Sequence, residues 1–447
     1  MQNTSSLKIG NFSRAFEKLI RRKQVRAFEK EAGLRRRRPP KLSVHELIMS
    51  LVFHFLNDRG YFSSHIRQMS GKKISDSAVS QRRGKMPWDI FDKIMKVALK
   101  PLAQITQKKH SGCFYHGYRL IGIDGTQFSL SNTPRILAHA RKAVSRRLKA
   151  AFAKMGACVL VELGFHNPVA VDIARNGESE GTLARRLLEK LPEVSLLLAD
   201  RLYGVGVLIA EILEVCRSRQ SAFLIRVRSN LKTRLIERQR DGSAIVEVRL
   251  PTRKTIWVRE VRGWVRTRNG KRIQIRLWTS LLDPKKHPAM ELLKLYAQRW
   301  EQELFFKELK VEMGHGSLLA SHLIPTAAQE VAAMILAHAM LVQFRVQAGA
   351  LANREVLKIS FVQTLEMTCS LWATLQATED MLSLKQQQIV TQRYLRLMAQ
   401  QPIVPRRQRS CPRAVRQPIK SWPRLIKNTY HHAPFSYEIT PLPASIS

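Results

Sequence analysis

Between residues 118 and 199, five short stretches follow one another in an order that few architectures accommodate. The apolar runs 118–123, 158–163 and 169–173 have the length of buried strands, 180–191 carries its leucines at helical spacing, and 194–199 is strand-like again. Strands interrupted by a helix in this way predict an α/β sheet. The strand pattern resumes at 222–227 and continues through 246–250, 255–261 and 272–279, where apolar residues alternate with basic ones around the turn Arg268-Asn269-Gly270. That stretch predicts a β-rich insertion with one packed face and one exposed face rich in arginine.

Helical patterns flank this region. Phe16, Leu19 and Ile20 share one helix face, and a second apolar helix spans 44–56, after the break at Pro39-Pro40. Just before that break stand Arg35, Arg36, Arg37 and Arg38, which are either a solvated surface or phosphate contacts beside a small helical module. Residues 75–83 read as a capped polar helix, suited to lie against DNA or to form an ordinary surface. Helices resume at 288 and run to about 400, and beyond them eight Lys or Arg face the single acid Glu438 in a proline-punctuated arm.

Lys and Arg total 76 against 34 Asp and Glu, a formal charge of +42. Such an excess repels itself unless a polyanion neutralises it, so nucleic acid is the expected partner, whether of a binder or of an enzyme. The five cysteines are scattered and odd in number, which fits neither a disulfide framework nor a zinc ribbon. The apolar run 331–344 is shorter than the ~20 residues of a membrane helix and is expected to be a buried core helix. Residues 1–10 lack the pattern of a signal peptide, so no membrane association is expected and the cytoplasm is the expected compartment. Gly204-Val205-Gly206 lacks the third glycine of a dinucleotide fingerprint, since position 209 is Ile, and reads as a helix-opening turn. No H-E-x-x-H motif occurs.

Two apolar runs end in acids. Leu120-Ile121-Gly122-Ile123 leads to Asp124 and Gly125, the glycine being read as a turn, and Leu196-Leu197-Leu198-Ala199 leads to Asp200. Strand-end aspartates can share hard divalent ions such as Mg²⁺, although each alone is equally a turn or cap residue. A third acid comes from residues 296–310, read as one helix. At about 100° per residue, Tyr296, Arg299, Glu303 and Lys310 fall on one stripe, whereas Glu301 and Glu308 fall nearly opposite. An Arg, a Lys and a Tyr beside a carboxylate suit an ion held next to phosphate. The bland alternative is a surface ion pair between Arg299 and Glu303.

The spacing Y-x2-R-x3-E-x6-K, met by Tyr296, Arg299, Glu303 and Lys310 and extended by Trp300 and Phe305-Phe306-Lys307, resembles the signature of the insertion-sequence-four family of DDE transposases. Ile123-Asp124-Gly125-Thr126 looks like that family's first catalytic block and Leu198-Ala199-Asp200-Arg201 like its second. The resemblance covers about residues 110–345, and little beyond Gly349 shares it. It implies an α/β, RNase H-like catalytic core at 113–345, interrupted by the β-rich insertion at 229–285. A helical DNA-binding region at 1–112 and a helical C-terminal region with a basic tail at 346–447, serving dimerisation or DNA contact, would flank it. Asp124, Asp200 and Glu303 would be catalytic and hold two Mg²⁺ ions, for which Mn²⁺ can substitute. The implied partners are the double-stranded DNA of transposon ends and target, and a second copy of the chain in that complex. The implied setting is the bacterial cytoplasm, at the nucleoid. Trp257 and Trp264 are candidates to seat a flipped base in a hairpin step, or are packed aromatics on a β face. A transposase-derived protein that binds DNA without cutting it is the alternative reading.

Overall fold

The computed structural model describes residues 10–34, 40–57, 60–140, 142–144, 149–250, 254–266, 272–313 and 318–400. Arg35, Arg36, Arg37, Arg38, the turn at 268–270 and the tail beyond 400 lie outside the described residues.

The protein is mixed α/β. Its sheet runs in the order Lys142–Val144, Lys149–Glu162, Tyr118–Leu130, Ser195–Ala199, Ala222–Arg226, Arg272–Thr279, Thr255–Arg266, Ala244–Arg249, Arg234–Arg238. Phe114–Tyr115 pairs with Tyr118–Leu130, and Asn167–Ile173 pairs with Lys149–Glu162. The central contacts of Ser195–Ala199 with Tyr118–Leu130 and with Ala222–Arg226 are parallel, and the other pairings are antiparallel. Parallel neighbours need crossovers, and the helices Glu180–Leu188 and Gly206–Ser218 supply them. They bury Leu183, Leu187, Ile209 and Ile212 against Ile121, Ile123, Leu197 and Phe223 of one sheet face.

The expected strands are present, and the first is longer than expected. It continues past Asp124 to Leu130, so Gly125 is not a turn residue. The β-rich stretch also departs from its expected polarity, because Arg259 and Arg276 are buried. Arg259 pairs with Asp241 and donates to Ser243 Oγ at 2.8 Å and to the His287 carbonyl at 2.7 Å. Arg276 pairs with Glu260 at 2.6 Å and donates to the Leu231 carbonyl at 2.8 Å. An arginine can be buried when its fork of donors is fully matched. The stretch is no separate unit, since Arg272–Thr279 pairs with Ala222–Arg226 and prolongs the same sheet.

The opposite sheet face carries Ala289–Tyr296, Trp300–Lys307 and the 29-residue helix Ile324–Ala352. By length and composition this last helix could span a bilayer, yet most of it is buried within the protein. N-terminal helices, among them Gly10–Leu19, Val44–Leu56 and Trp88–Ala98, wrap it together with Phe361–Ala377 and Leu384–Gln400. Val44–Leu56 begins where the sequence requires, with Ser43 and Glu46 forming a reciprocal capping box. Phe12 meets Trp372 edge-on at 4.8 Å, joining Gly10–Leu19 and Phe361–Ala377 in one core. Ser75 caps Asp76–Gly84 as expected, but Arg83 turns inward, to the Thr326 carbonyl at 2.8 Å and Glu330 at 3.3 Å. That arginine therefore holds two helices together and offers no charge to a phosphate.

Candidate active site

Asp124 and Asp200 come together because their strands are parallel neighbours. Ile123 stands opposite Ala199 in register, so the next residue on each strand is an aspartate. Asp200 follows the last residue of Ser195–Ala199, and its Oδ1 accepts from the Leu202 N–H at 2.7 Å. Asp124 lies within its strand. Burial, followed by the charge of Asp200, pushes its carboxyl up to about 7, with Glu180 adding to the effect.

The segment bearing Glu303 is not one regular helix. It passes from α-helix through a tight turn at Ala297–Arg299 into Trp300–Lys307, and then widens into a π-helical turn at Glu308–Glu312. The projection of a straight helix fails here, but three of its four polar residues still meet the strands carrying the aspartates, and the fourth, Glu303, is tied to them through Arg299. Tyr296 donates to the Ala199 carbonyl at 3.2 Å, and burial pushes its hydroxyl up to about 12. Arg299 bridges two of the acids, 3.5 Å from Asp124 and 2.5 Å from Glu303. Lys310 donates to Thr126 Oγ1 and to the Gln127 carbonyl, each at 3.0 Å. Glu301 and Glu308 face away, towards His166.

A fourth carboxylate escapes the sequence reading. Glu180, in the first turn of Glu180–Leu188, approaches from the other sheet face and rests over Gly125, where a Cβ would overlap its carboxyl. The glycine is needed for this close approach and not for a turn. Tyr203 donates to Glu180 Oε1 at 2.9 Å and fixes its direction. Burial, with Asp200 as a further cause, raises the Glu180 carboxyl above its ordinary value. The available signal was an acid directly after the cap Ser179, which any helix start can show.

Beside Asp200 opens a cavity of about 390 Å³ lined by Arg201, Arg226, Arg228, Asn230 and Arg276. Arg226 ends the strand next to that of Asp200. Trp257 and Trp264 are exposed, at 56% and 65%, and stand seven residues apart on one strand, so they point to opposite faces. Trp257 donates to Glu247 at 3.4 Å.

Oxygen donors of this kind suit a hard divalent cation. Among the described residues no cation pairs with Asp200 or Glu180, which leaves negative charge for an ion to neutralise. Also among the described residues, no three His, Cys, Asp or Glu side chains close on a single point as they lie. Arg299 is the reason on one side, since it fills the space between Asp124 and Glu303.

Paired acids on neighbouring parallel strands of a mixed sheet, with a helical segment bringing a third, make an acid-lined site of the kind that suits hard divalent ions. The chain belongs to the transposase DDE domain family, whose model matches residues 115–341. It is 25% identical over 271 residues to the transposase InsG for insertion sequence element IS4 of Escherichia coli (strain K12). That match takes in 59% of this chain and about 60% of the relative's length. Among solved structures, the chain is similar to the piggyBac transposase in its synaptic complex with hairpin DNA, at a TM-score of 0.42 and 10% identity. The similarity covers 86% of this chain and 82% of that one.

Proposed function

We propose that this protein is a DNA transposase that binds the ends of a bacterial insertion element and catalyses Mg²⁺-dependent strand cleavage and strand transfer. The observation that carries this reading is the placing of Asp124 and Asp200 on adjacent parallel strands, with Glu303 joined to Asp124 through Arg299. Asp124, Asp200 and Glu303 are the proposed ion ligands, in an RNase H-like core interrupted at 229–285. Glu180 is near enough to Asp124 to raise its carboxyl, and is itself raised by the charge of Asp200. When bound, a pair of divalent ions would activate the attacking oxygen and stabilise the leaving one.

The residues themselves prepare the site. Tyr296 and Lys310 tie the Glu303 segment to both aspartate-bearing strands. Arg299 balances two carboxylates, and with an ion held there its guanidinium would be free to fork onto a phosphate. The arginine-lined cavity beside Asp200 gives the strand a path past the acids. Helices at 1–112 and 346–447 are proposed to contact DNA and to assemble a homodimer on it, within the cytoplasm.

The test is a labelled duplex carrying the element's own ends, incubated with the full chain and resolved on a denaturing gel. Nicks that require Mg²⁺ and disappear with chelator are expected, and a double-length strand would reveal a hairpin. Binding without cleavage under Mg²⁺ or Mn²⁺ would instead indicate a transposase-derived binder. Affinity should also fall steeply with salt, by about 10³-fold or more between 50 and 200 mM if six or more phosphates are neutralised. A flat response would remove the charge argument.

A further inference from the structure

The segment that carries Glu303 has a second set of contacts on the side away from Asp124, and none of them takes part in the mechanism above. Glu301 Oε2 lies 2.8 Å from His166 Nε2. Glu308 Oε2 lies 2.9 Å from Nδ1 of the same ring, as an ion pair set off the N–H direction. Two glutamates on either side of Glu303 thus grip one imidazole. Glu308 is held further by His338, at 3.2 Å, and by Arg345, which donates to its Oε1 at 3.1 Å. His166, Glu308, His338 and Arg345 are all buried, and His338 and Arg345 share one face of Ile324–Ala352.

Burying this many ionisable groups is costly unless their charges close on one another. Here they do. Burial opposes a charge on His166, but the Glu308 charge and the contacts to both glutamates outweigh it and raise the imidazole above its ordinary value. Burial would raise Glu308, yet His166 and Arg345 hold it well below the usual carboxylate range. Burial keeps His338 below its ordinary value. Glu301 and Glu308 are then balanced by His166 and Arg345.

The location of the grip gives it a purpose. His166 sits at φ +56° in the turn between Lys149–Glu162 and Asn167–Ile173. The first of these strands pairs with that of Asp124, with Val159 opposite Asp124. Between the two clamped glutamates, Gln302 lies on Gly122 and donates to the Val159 carbonyl at 3.3 Å. Gln302 thus seats the helix on the aspartate-bearing strand and its neighbour, Glu301 and Glu308 fix it to the turn that follows that neighbour, and Glu303 follows from that register.

We propose that His166 is a positioning residue: clamped by Glu301 and Glu308 and backed by Arg345, it fixes the rotation of the helix so that Glu303 faces Asp124. The inference rests on reading Glu303 as an ion ligand.

The test uses the full chain and His166→Gln, which keeps a polar side chain but cannot carry charge or reach both glutamates. Two readouts are taken: hydrogen exchange over residues 300–307, and Mn²⁺ affinity by calorimetry. Exchange over 300–307 should quicken about tenfold while the strands at 118–130 and 195–199 keep their protection. The Mn²⁺ Kd should rise by about 10-fold or more, as when a residue that orients a ligand is lost. Glu303→Ala should lose Mn²⁺ affinity with exchange unchanged.

Unchanged exchange over 300–307 in His166→Gln overturns the clamp. So does wild-type Mn²⁺ affinity in that variant when Glu303→Ala has lost it. If Glu303→Ala keeps full Mn²⁺ affinity, the ligand reading fails, and faster exchange in His166→Gln still supports the clamp. Should His166→Gln not fold, Glu301→Gln serves, because that side chain is 30% exposed. It should show the same changes at about threefold, and no change in either readout overturns the proposal.

Discussion

Replacing Asp200 by Ala should lower strand cleavage at least about a thousandfold while DNA binding stays within a few-fold of wild type. A bound ion contributes several kcal/mol of charge stabilisation in the transition state, and each 1.4 kcal/mol is about a factor of ten in rate. Asp200 meets no protein cation among the described residues, so its loss breaks no ion pair that holds the fold. Asp124→Asn should show the same loss of cleavage, with a different effect on the fold. Asp124 is buried and feels the like charges of Asp200 and Glu180, so a neutral isostere should raise the melting temperature of the metal-free chain, by about 1 kcal/mol or more in stability. Cleavage within tenfold of wild type in either variant would remove that residue from the site.

Acid should unfold the N-terminal helices through His45. This side chain is 1% exposed, and neither ring nitrogen has a hydrogen-bond partner among the described residues. It packs edge-on against Phe16 at 5.3 Å. Burial, and after it the charge of Arg22, lowers the imidazole from 6.5 to about 4. The unfolded chain binds a proton below about 6.5 that the folded chain refuses until about 4. The stability contributed by the neutral ring is therefore complete above pH 6.5 and is lost as pH falls through that window. About 2.5 units at ~1.4 kcal/mol each amount to roughly 3 kcal/mol. Denaturant melts at pH 7 and pH 4 on the protein and on His45→Leu should differ in their acid loss by about that amount. Equal losses would show that His45 is not the group that titrates. Carboxylates that protonate in the same range cancel in the comparison.

The sequence made the sheet legible wherever a strand is a short apolar run, because burial on both faces leaves only that pattern. It could not show where the first strand stops. Residues 125–130 lose the apolar run but stay paired with 153–158, and the partner is known only from the fold. Asp124, Asp200 and Glu303 stand out in the sequence by their position at run ends, by spacing and by resemblance to the family signature, and the structure brings Asp124 beside Asp200 and ties Glu303 to Asp124. Glu180 and His166 were missed because each acts across the chain, on residues 55 and 135–142 positions away. Arg259 and Arg276 were read as exposed for the same reason, since their acids sit in neighbouring segments. An alternating pattern reports which face a residue takes, but not whether a partner waits there.

The long central helix sets a limit on dissection. Residues 115–341, the part matched by the family model, end inside Ile324–Ala352 and exclude Arg345. A fragment cut there would leave Glu308 buried without its permanent countercharge, a defect that costs about 3–5 kcal/mol. It would also lose the outer helices that cover Val331, Ile335 and Leu336. The matched segment is thus no autonomous folding unit. Its two ends are laced together by parts of the chain that lie outside it, and domain swaps between relatives would have to carry both flanks at once.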